Sequence, residues 1–239
     1  MLRVESEPGF ILHSMPYRET SLLVDLFTRE HGRVRCIAKG YRKPNKKGMN
    51  RSIFPFTEHQ FSWKGQGDLK NLTAADPIDR PLLLGGELLF SGLYVNELLY
   101  RLLHQQDPHQ DFYSYYRQFV NILAEGNLHE SHLRQFEMLL MEELGYGLVL
   151  DFDSESGEPI SKEGDYVYHP EQGLVSVQQS QNRMAYKGED LLAIVRGNFS
   201  EKRVLRTAKH LMRGVIDFYL NGKPLNSREL YRRHLESSN

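Results

Sequence analysis

The sequence predicts an α+β protein in which a small N-terminal β-barrel is followed by an α-helical domain with an irregular insertion. Short segments of alternating hydrophobicity, separated by glycine turns, occupy the first third of the chain. After Pro77 and Pro81 the apolar residues recur at helical spacing. We therefore expect residues 1–80 to form the barrel and residues 81–239 to form the helical domain. The composition, 40% hydrophobic and 26% charged in 239 residues, is typical of a folded globular protein.

Five segments of the barrel region are predicted to be β-strands: residues 10–13, 20–27, 33–39, 53–63 and 68–74. In the second of them, Leu22, Val24 and Leu26 fall on one face of the strand. Five short strands joined by glycine turns are typical of the oligonucleotide/oligosaccharide-binding (OB) fold. The number of strands suits an SH3-like barrel nearly as well, so both barrels remain open on this argument.

Six helices are predicted in the remainder of the chain: residues 84–103, 112–123 and 133–144, followed by residues 188–196, 201–220 and 226–235. The first is apolar on almost all sides, which predicts a helix buried at the centre of the helical domain. Residues 146–182 show no periodicity and contain many Asp, Glu, Ser and Gly residues, so we expect an irregular segment there.

The charges are distributed unevenly along the chain, although the formal net charge is only -1. Residues 1–70 carry a net charge of +6, residues 71–182 carry -13, and residues 183–239 carry +6. Two basic ends around an acidic middle indicate a polyanionic partner that binds the ends.

The densest basic segment lies between residues 33 and 51 and contains no acidic residue. Its cations are Arg33, Arg35, Lys39, Arg42, Lys43, Lys46, Lys47 and Arg51. Such cations neutralise phosphates, and the neighbouring rings of Tyr41, Phe54 and Trp63 are candidates for stacking on bases. This segment therefore predicts a nucleic-acid-binding surface. The alternative is a solvated charged loop beside aromatic residues that belong to the core.

A second basic row lies in the helix predicted over residues 201–220. Lys202, Arg206, Lys209 and Arg213 are spaced by four, three and four residues, which aligns them on one helix face. A row of like charges favours an anionic partner and predicts a second nucleic-acid contact. A solvated face, paired with acidic residues from the middle of the chain, explains the same pattern.

A third candidate site lies in the helix predicted over residues 133–144. Arg134, Met138 and Met141 share a face of that helix, so a cation lies beside adaptable apolar side chains. This combination suits a peptide with a hydrophobic end and a free carboxylate. A core helix with one surface arginine is the simpler interpretation of the same residues.

The sequence contains none of the common catalytic motifs, including the phosphate-binding loop, the serine nucleophile elbow and the zinc-protease helix. Cys36 is the only cysteine, which excludes internal disulfides and a cysteine-based zinc site. The acidic residues 151–158 resemble a calcium loop, but Lys162 stands where that loop needs a bidentate acid. We expect no enzymatic activity, no metal and no other cofactor. The absence of a signal peptide or a long apolar run predicts a cytoplasmic location.

Several separate stretches of the sequence, in the same order, resemble a known family. They are residues 10–14 (FILHS), 19–22 (ETSL), 32–35 (GRVR), 38–40 (AKG), 91–99 (SGLYVNELL), 133–137 (LRQFE), 144–147 (LGYG) and 222–230 (GKPLNSREL). On these residues the chain closely resembles the bacterial RecO family of recombination mediators, in particular its gammaproteobacterial members. The resemblance extends over nearly the whole chain.

The resemblance implies an N-terminal OB fold, a helical C-terminal domain and no enzymatic turnover. It also implies binding to single- and double-stranded DNA, annealing of complementary strands and association with the nucleoid. Its implied partners are the C-terminal tail of single-stranded-DNA-binding protein, RecR and, indirectly, RecA. In the family, the helix that matches residues 133–137 helps to receive that tail, which assigns tail binding to Arg134.

One feature departs from the family pattern. Many relatives carry a four-cysteine zinc site in the segment that corresponds to residues 148–182, which contain no cysteine here. We expect packing and hydrogen bonds to hold this segment without zinc. Two other functions remain open on the sequence alone: an RNA-binding OB-fold adaptor, and a metal-dependent nuclease that uses Asp151 and Asp153.

Overall fold

The computed structural model describes residues 3–43, 53–177 and 185–237. The chain divides into two compact units, one formed by Met1–Asn127 with Leu225–Asn239 and the other by Leu128–Pro224. The domain boundary predicted near residue 80 lies within the first of these units. Among the helices that the structure describes, none has both the length and the apolar composition needed to cross a membrane.

The first unit begins with five strands that form a closed barrel. The strands are β1 (Arg3–Tyr17), β2 (Ser21–Thr28), β3 (Gly32–Ala38), β4 (His59–Lys64) and β5 (Leu69–Pro77). Their order around the barrel is β1-β2-β3-β5-β4, with β3 and β5 parallel and the other pairs antiparallel. A closed five-stranded barrel in which β3 pairs with β5 and β1 pairs with β4 is OB-like, and the predicted fold class is confirmed.

Alternating residues of the strands fill the barrel interior. Val34 and Cys36 of β3 and Phe61 and Trp63 of β4 are all at most 2% exposed. The period of two that predicted the strands therefore also selects the core. Because Trp63 lies inside the barrel, it is excluded as a ring for base stacking.

Three helices belong to the same unit: α1 (Gly86–Leu102), α2 (Gln110–Ala124) and, at the end of the chain, the helix Asn226–Ser237. Helix α1 packs on β1, where the Asn96 side chain donates a hydrogen bond to the carbonyl of Ile11 at 3.2 Å. Tyr116 of α2 donates its hydroxyl to Asn96 at 2.6 Å and packs edge-on against Phe10. We predicted α1 at the centre of a separate helical domain; it lies instead against the barrel, because its buried face covers β1.

The second unit contains α3 (Glu130–Glu143), a small sheet of β6 (Asp165–His169), β7 (Gly173–Ser176) and β8 (Tyr186–Lys187), then α4 (Gly188–Val195) and α5 (Lys202–Tyr219). The terminal helix of the first unit is accordingly α6. The predicted irregular segment, residues 146–182, contains two short strands that the sequence analysis did not predict, β6 and β7. These strands have only five and four residues, so their alternation is a weak signal in a segment rich in Asp, Glu, Ser and Gly.

Hydrogen bonds to one buried carboxylate hold the start of that segment. Asp153 accepts bonds from the backbone N–H groups of Glu155, Ser156 and Ser176 at 2.9, 3.0 and 2.8 Å. These bonds lower the pKa of Asp153 to about 2, so the carboxylate stays ionised at neutral pH. Val167 and Leu174 add buried apolar contacts.

Candidate nucleic-acid interface

The turn between β1 and β2 meets the loop after β3 at one end of the barrel. The backbone N–H of Arg42 donates to the carbonyl of Thr20 at 3.0 Å. The Arg42 guanidinium donates to the carbonyl of Arg18, also at 3.0 Å. These two bonds hold the turn and the loop together, so Arg42 acts first as a positioning residue at this end.

A cleft of about 520 Å³ opens beside this junction. Its lining consists of Tyr17, Arg18, Glu19, Thr20, Ser21, Ile37 and Lys39. Arg18 and Lys39 are exposed, and the Arg18 guanidinium lies 5.3 Å from the centre of the Tyr17 ring. An aromatic ring with two cations can bind a phosphate and stack on a base. We call this the barrel-end cleft.

Arg18 and Tyr17 were not among the predicted site residues. The adjacent aromatic and cation at the tip of a hairpin were the available signal, but they lie outside the dense basic segment of residues 33–51. Only the pairing of β1 with β2 brings the hairpin tip beside the end of β3.

Three of the eight predicted cations lie at this end of the barrel in exposed positions: Lys39, Arg42 and Lys43. Three others, Lys46, Lys47 and Arg51, lie outside the described residues. The remaining two are Arg33 and Arg35 of β3, which take a different role.

Arg33 and Arg35 are bound within the first unit. Both donate to the buried carboxylate of Asp25 on the neighbouring strand, each at 3.0 Å. Arg33 also donates to the carbonyl of Leu103 after α1, and Arg35 donates to the Tyr100 hydroxyl at 3.4 Å. Their guanidinium groups thus join the barrel to α1 and the residues after it. This corrects their assignment to the nucleic-acid surface.

The predicted basic row on α5 is exposed along its whole length. Lys209 forms an ion pair with Glu130 at 3.1 Å, and Arg213 lies 3.9 Å from Asp217. For Lys202 and Arg206, no ion pair with another described residue is found within 4.0 Å. The row is therefore partly neutralised by acids, and its predicted role in DNA binding stays a prediction.

Arg134 is buried, contrary to the expected surface arginine. Its guanidinium forms an ion pair with Glu137 at 2.8 Å, with side-chain exposures of 7% and 1%. The Arg134 Nε atom has no hydrogen-bond partner among the described residues. Met141 is fully buried, whereas Met138 is half-buried. The predicted face is corrected accordingly: Met141 belongs to the core because α3 turns it towards the other helices of its unit.

Within the described ranges, no group of three His, Cys, Asp or Glu side chains is arranged to hold a metal ion. Asp153, a residue of the nuclease alternative, already accepts three backbone hydrogen bonds. Its carboxylate thus stabilises the backbone of its own loop.

Both the N-terminal and the C-terminal part of the chain match known protein families. A family profile described as Recombination protein O N terminal matches residues 1–81, and the profile Recombination protein O C terminal matches residues 85–229. A DNA repair protein RecO from Ralstonia nicotianae is 39% identical over 95% of this chain and 84% of its own length. Proteins of the same name from Actinobacillus pleuropneumoniae and Coxiella burnetii are 40% and 41% identical, over 94% and 95% of this chain and 93% and 98% of theirs. The chain belongs to the RecO family of DNA repair proteins.

Proposed function

We propose that this protein is a non-catalytic, DNA-binding recombination mediator. It anneals complementary strands and, with RecR, helps to load RecA on DNA that is coated by single-stranded-DNA-binding protein. Membership in a family of DNA repair proteins supports the role in repair. The observation that carries DNA binding is the barrel-end cleft, where Arg18 and Lys39 lie beside the Tyr17 ring.

The proposed DNA surface starts at this cleft and continues along the loop after β3. Lys39 and Lys43 contact phosphates, as do Lys46, Lys47 and Arg51, while Arg42 also holds the loop against the hairpin. Arg33 and Arg35 are left out because Asp25 binds both. Each phosphate contact releases a condensed counterion, which gives affinity without sequence preference.

The α5 row, Lys202, Arg206, Lys209 and Arg213, is the second proposed contact with DNA. Two basic surfaces on one chain reduce the repulsion between two anionic strands and so favour annealing. The acid partners of Lys209 and Arg213 are exposed, so phosphate can replace them at little cost.

We propose that α3 receives the tail of single-stranded-DNA-binding protein near Arg134 and Met138. The Arg134 side chain keeps 7% of its surface exposed, and a tail carboxylate bound beside Met138 would meet that part of the guanidinium. The Glu137 carboxylate lies 2.8 Å from the same guanidinium, so it holds the side chain in one orientation and competes with an incoming carboxylate.

Annealing of complementary labelled strands tests this function. The protein should accelerate annealing of naked strands, and also of strands coated by single-stranded-DNA-binding protein. A variant in which the last residues of that coating protein are deleted should support less annealing on coated DNA only. Cleavage of the strands in magnesium or manganese, or stronger binding to RNA than to DNA of the same sequence, would contradict the proposal.

A further inference from the structure

We infer that the barrel-end cleft takes one unstacked nucleotide and prefers a base with an amino group, cytosine over thymine. This inference rests on the proposed DNA binding and adds a base preference to it. Its basis is the chemistry of three lining side chains, Tyr17, Arg18 and Glu19, in one cleft.

The Tyr17 ring is positioned to stack on the base. Tyr17 ends β1 and pairs with Ser21 of β2, so its backbone is fixed by the last pair of the hairpin. The ring is half-buried and therefore keeps part of its surface open to the cleft. The cleft has a volume of about 520 Å³ and is open to solvent on one side. One base fits such a space.

The two cations in the lining bind the phosphate of that nucleotide. Arg18 and Lys39 are exposed, and the structure shows no ion pair between either of them and a described acidic residue. Arg18 adopts a positive φ of 53°, a left-handed conformation that is strained for residues other than glycine, asparagine and aspartate. The turn therefore fixes the backbone that carries the Arg18 side chain, at an energetic cost.

Among the described residues of the lining, Glu19 is the one carboxylate, and Arg18 and Lys39 are its cations. A carboxylate repels phosphate, so it weakens binding unless the ligand also offers it a hydrogen-bond donor. Cytosine presents an amino group that Glu accepts, whereas thymine presents a carbonyl oxygen at the equivalent position. Glu19 therefore favours cytosine by attraction and disfavours thymine by repulsion.

The cleft is also held in shape before DNA binds. Arg42 donates to the carbonyls of both Arg18 and Thr20, which fixes the turn that carries Glu19. Preorganisation lowers the entropic cost of binding and lets a single side chain discriminate between ligands.

Fluorescence anisotropy with (dC) and (dT) oligonucleotides of equal length tests the inference, in slightly alkaline buffer where cytosine is unprotonated. The wild-type protein should bind (dC) about five- to tenfold more tightly than (dT), the lower end of the discrimination that one good base contact gives. Glu19→Ala should bring the ratio of the two dissociation constants close to one. Glu5→Ala, which removes an exposed carboxylate that does not line the cleft, is the matched control and should keep the ratio.

Two further variants test the stacking ring. Tyr17→Ala should weaken binding of both oligonucleotides about tenfold, the usual effect of losing one stacked base. Tyr17→Phe keeps the ring and should restore the lost affinity. Equal affinities for (dC) and (dT) in the wild type, or a preference that survives Glu19→Ala, would overturn the inference while DNA binding stands. No binding to either oligonucleotide would overturn the proposed function itself.

Discussion

The role of an arginine in this chain depends on whether a buried acid lies beside it. Arg33 and Arg35 bind Asp25, and Arg134 binds Glu137 one helical turn away. In each case the acid is buried, so the ion pair replaces the hydration that the carboxylate loses. A positive charge in the sequence therefore indicates a DNA contact only where no buried acid lies within reach.

Arg134→Ala should destabilise the protein, because it removes the guanidinium from a carboxylate that is 1% exposed. Breaking a buried ion pair by deleting one partner costs about 3–5 kcal/mol. Chemical denaturation of the variant measures this loss.

The double variant Arg134→Met/Glu137→Met is the control, since it removes both charges. It should recover most of the lost stability. A single variant as stable as the wild type would show that the pair is hydrated in solution.

Acidic pH should destabilise the barrel through His59. This side chain is fully buried, and burial lowers its pKa below the ordinary value of 6.5. Its Nδ1 bonds the Thr57 carbonyl at 2.7 Å, and its Nε2 has no partner among the described residues. The unfolded chain thus binds the proton more readily, and the free energy of unfolding falls as the pH drops below about 6.5.

Urea denaturation at a series of pH values from neutral to mildly acidic tests this expectation. His59→Phe removes the titrating group and should reduce the slope of stability against pH in that range. An unchanged slope would assign the pH dependence to other groups.

At the scale of elements, the regular part of the fold follows from periodicity. Alternation in β2 predicted that strand and its inward face, and the six predicted helices lie close to the observed α1–α6. The predicted strand over residues 53–63 begins only at His59, because Phe56 adopts a positive φ of 61° and ends the extended backbone. The turn lets Phe56 reach α1, a tertiary contact that no local pattern contains.

Gly92 of α1 provides the test of that contact. A Cβ at Gly92 would lie 2.7 Å from the buried ring of Phe56. Overpacking in Gly92→Ala should cost about 1–3 kcal/mol of stability. The better helix propensity of alanine should offset about 1 kcal/mol of that cost.

Gly214→Ala is the matched control, because Gly214 lies on α5 and a Cβ there meets no atom within 4 Å. It should stabilise the protein by about 0.5–1 kcal/mol. Thermal denaturation of both variants measures the difference. Equal shifts of Tm in the two variants would contradict the packing of Phe56 on α1.

At the scale of the whole molecule, the charge pattern along the sequence indicates where DNA binds but not which residues bind it. The basic N-terminal part of the chain forms most of the barrel, and the basic C-terminal part contains α5. The acidic middle part contains α1, α2 and α3. The electrostatic field of such a charge distribution directs a polyanion to the basic surfaces. The sequence could not separate Lys39 from Arg33, since burial and the partner Asp25 emerge only when strands pair. For the same reason it missed Arg18, which reaches the cleft through the β1–β2 turn.

The salt dependence of single-stranded DNA affinity tests the central claim, that the barrel end binds phosphates. With four to six phosphate contacts, log K should fall against log salt with a slope of about -3 to -4. Charge reversal at Lys39 and Lys43 should weaken binding to all sequences and reduce the magnitude of the slope by about 1 to 2. Arg29→Glu, in the β2–β3 turn at the end of β2 away from Ser21, should leave the slope nearly unchanged. A slope that Lys39 and Lys43 do not influence would place the DNA elsewhere and contradict the account.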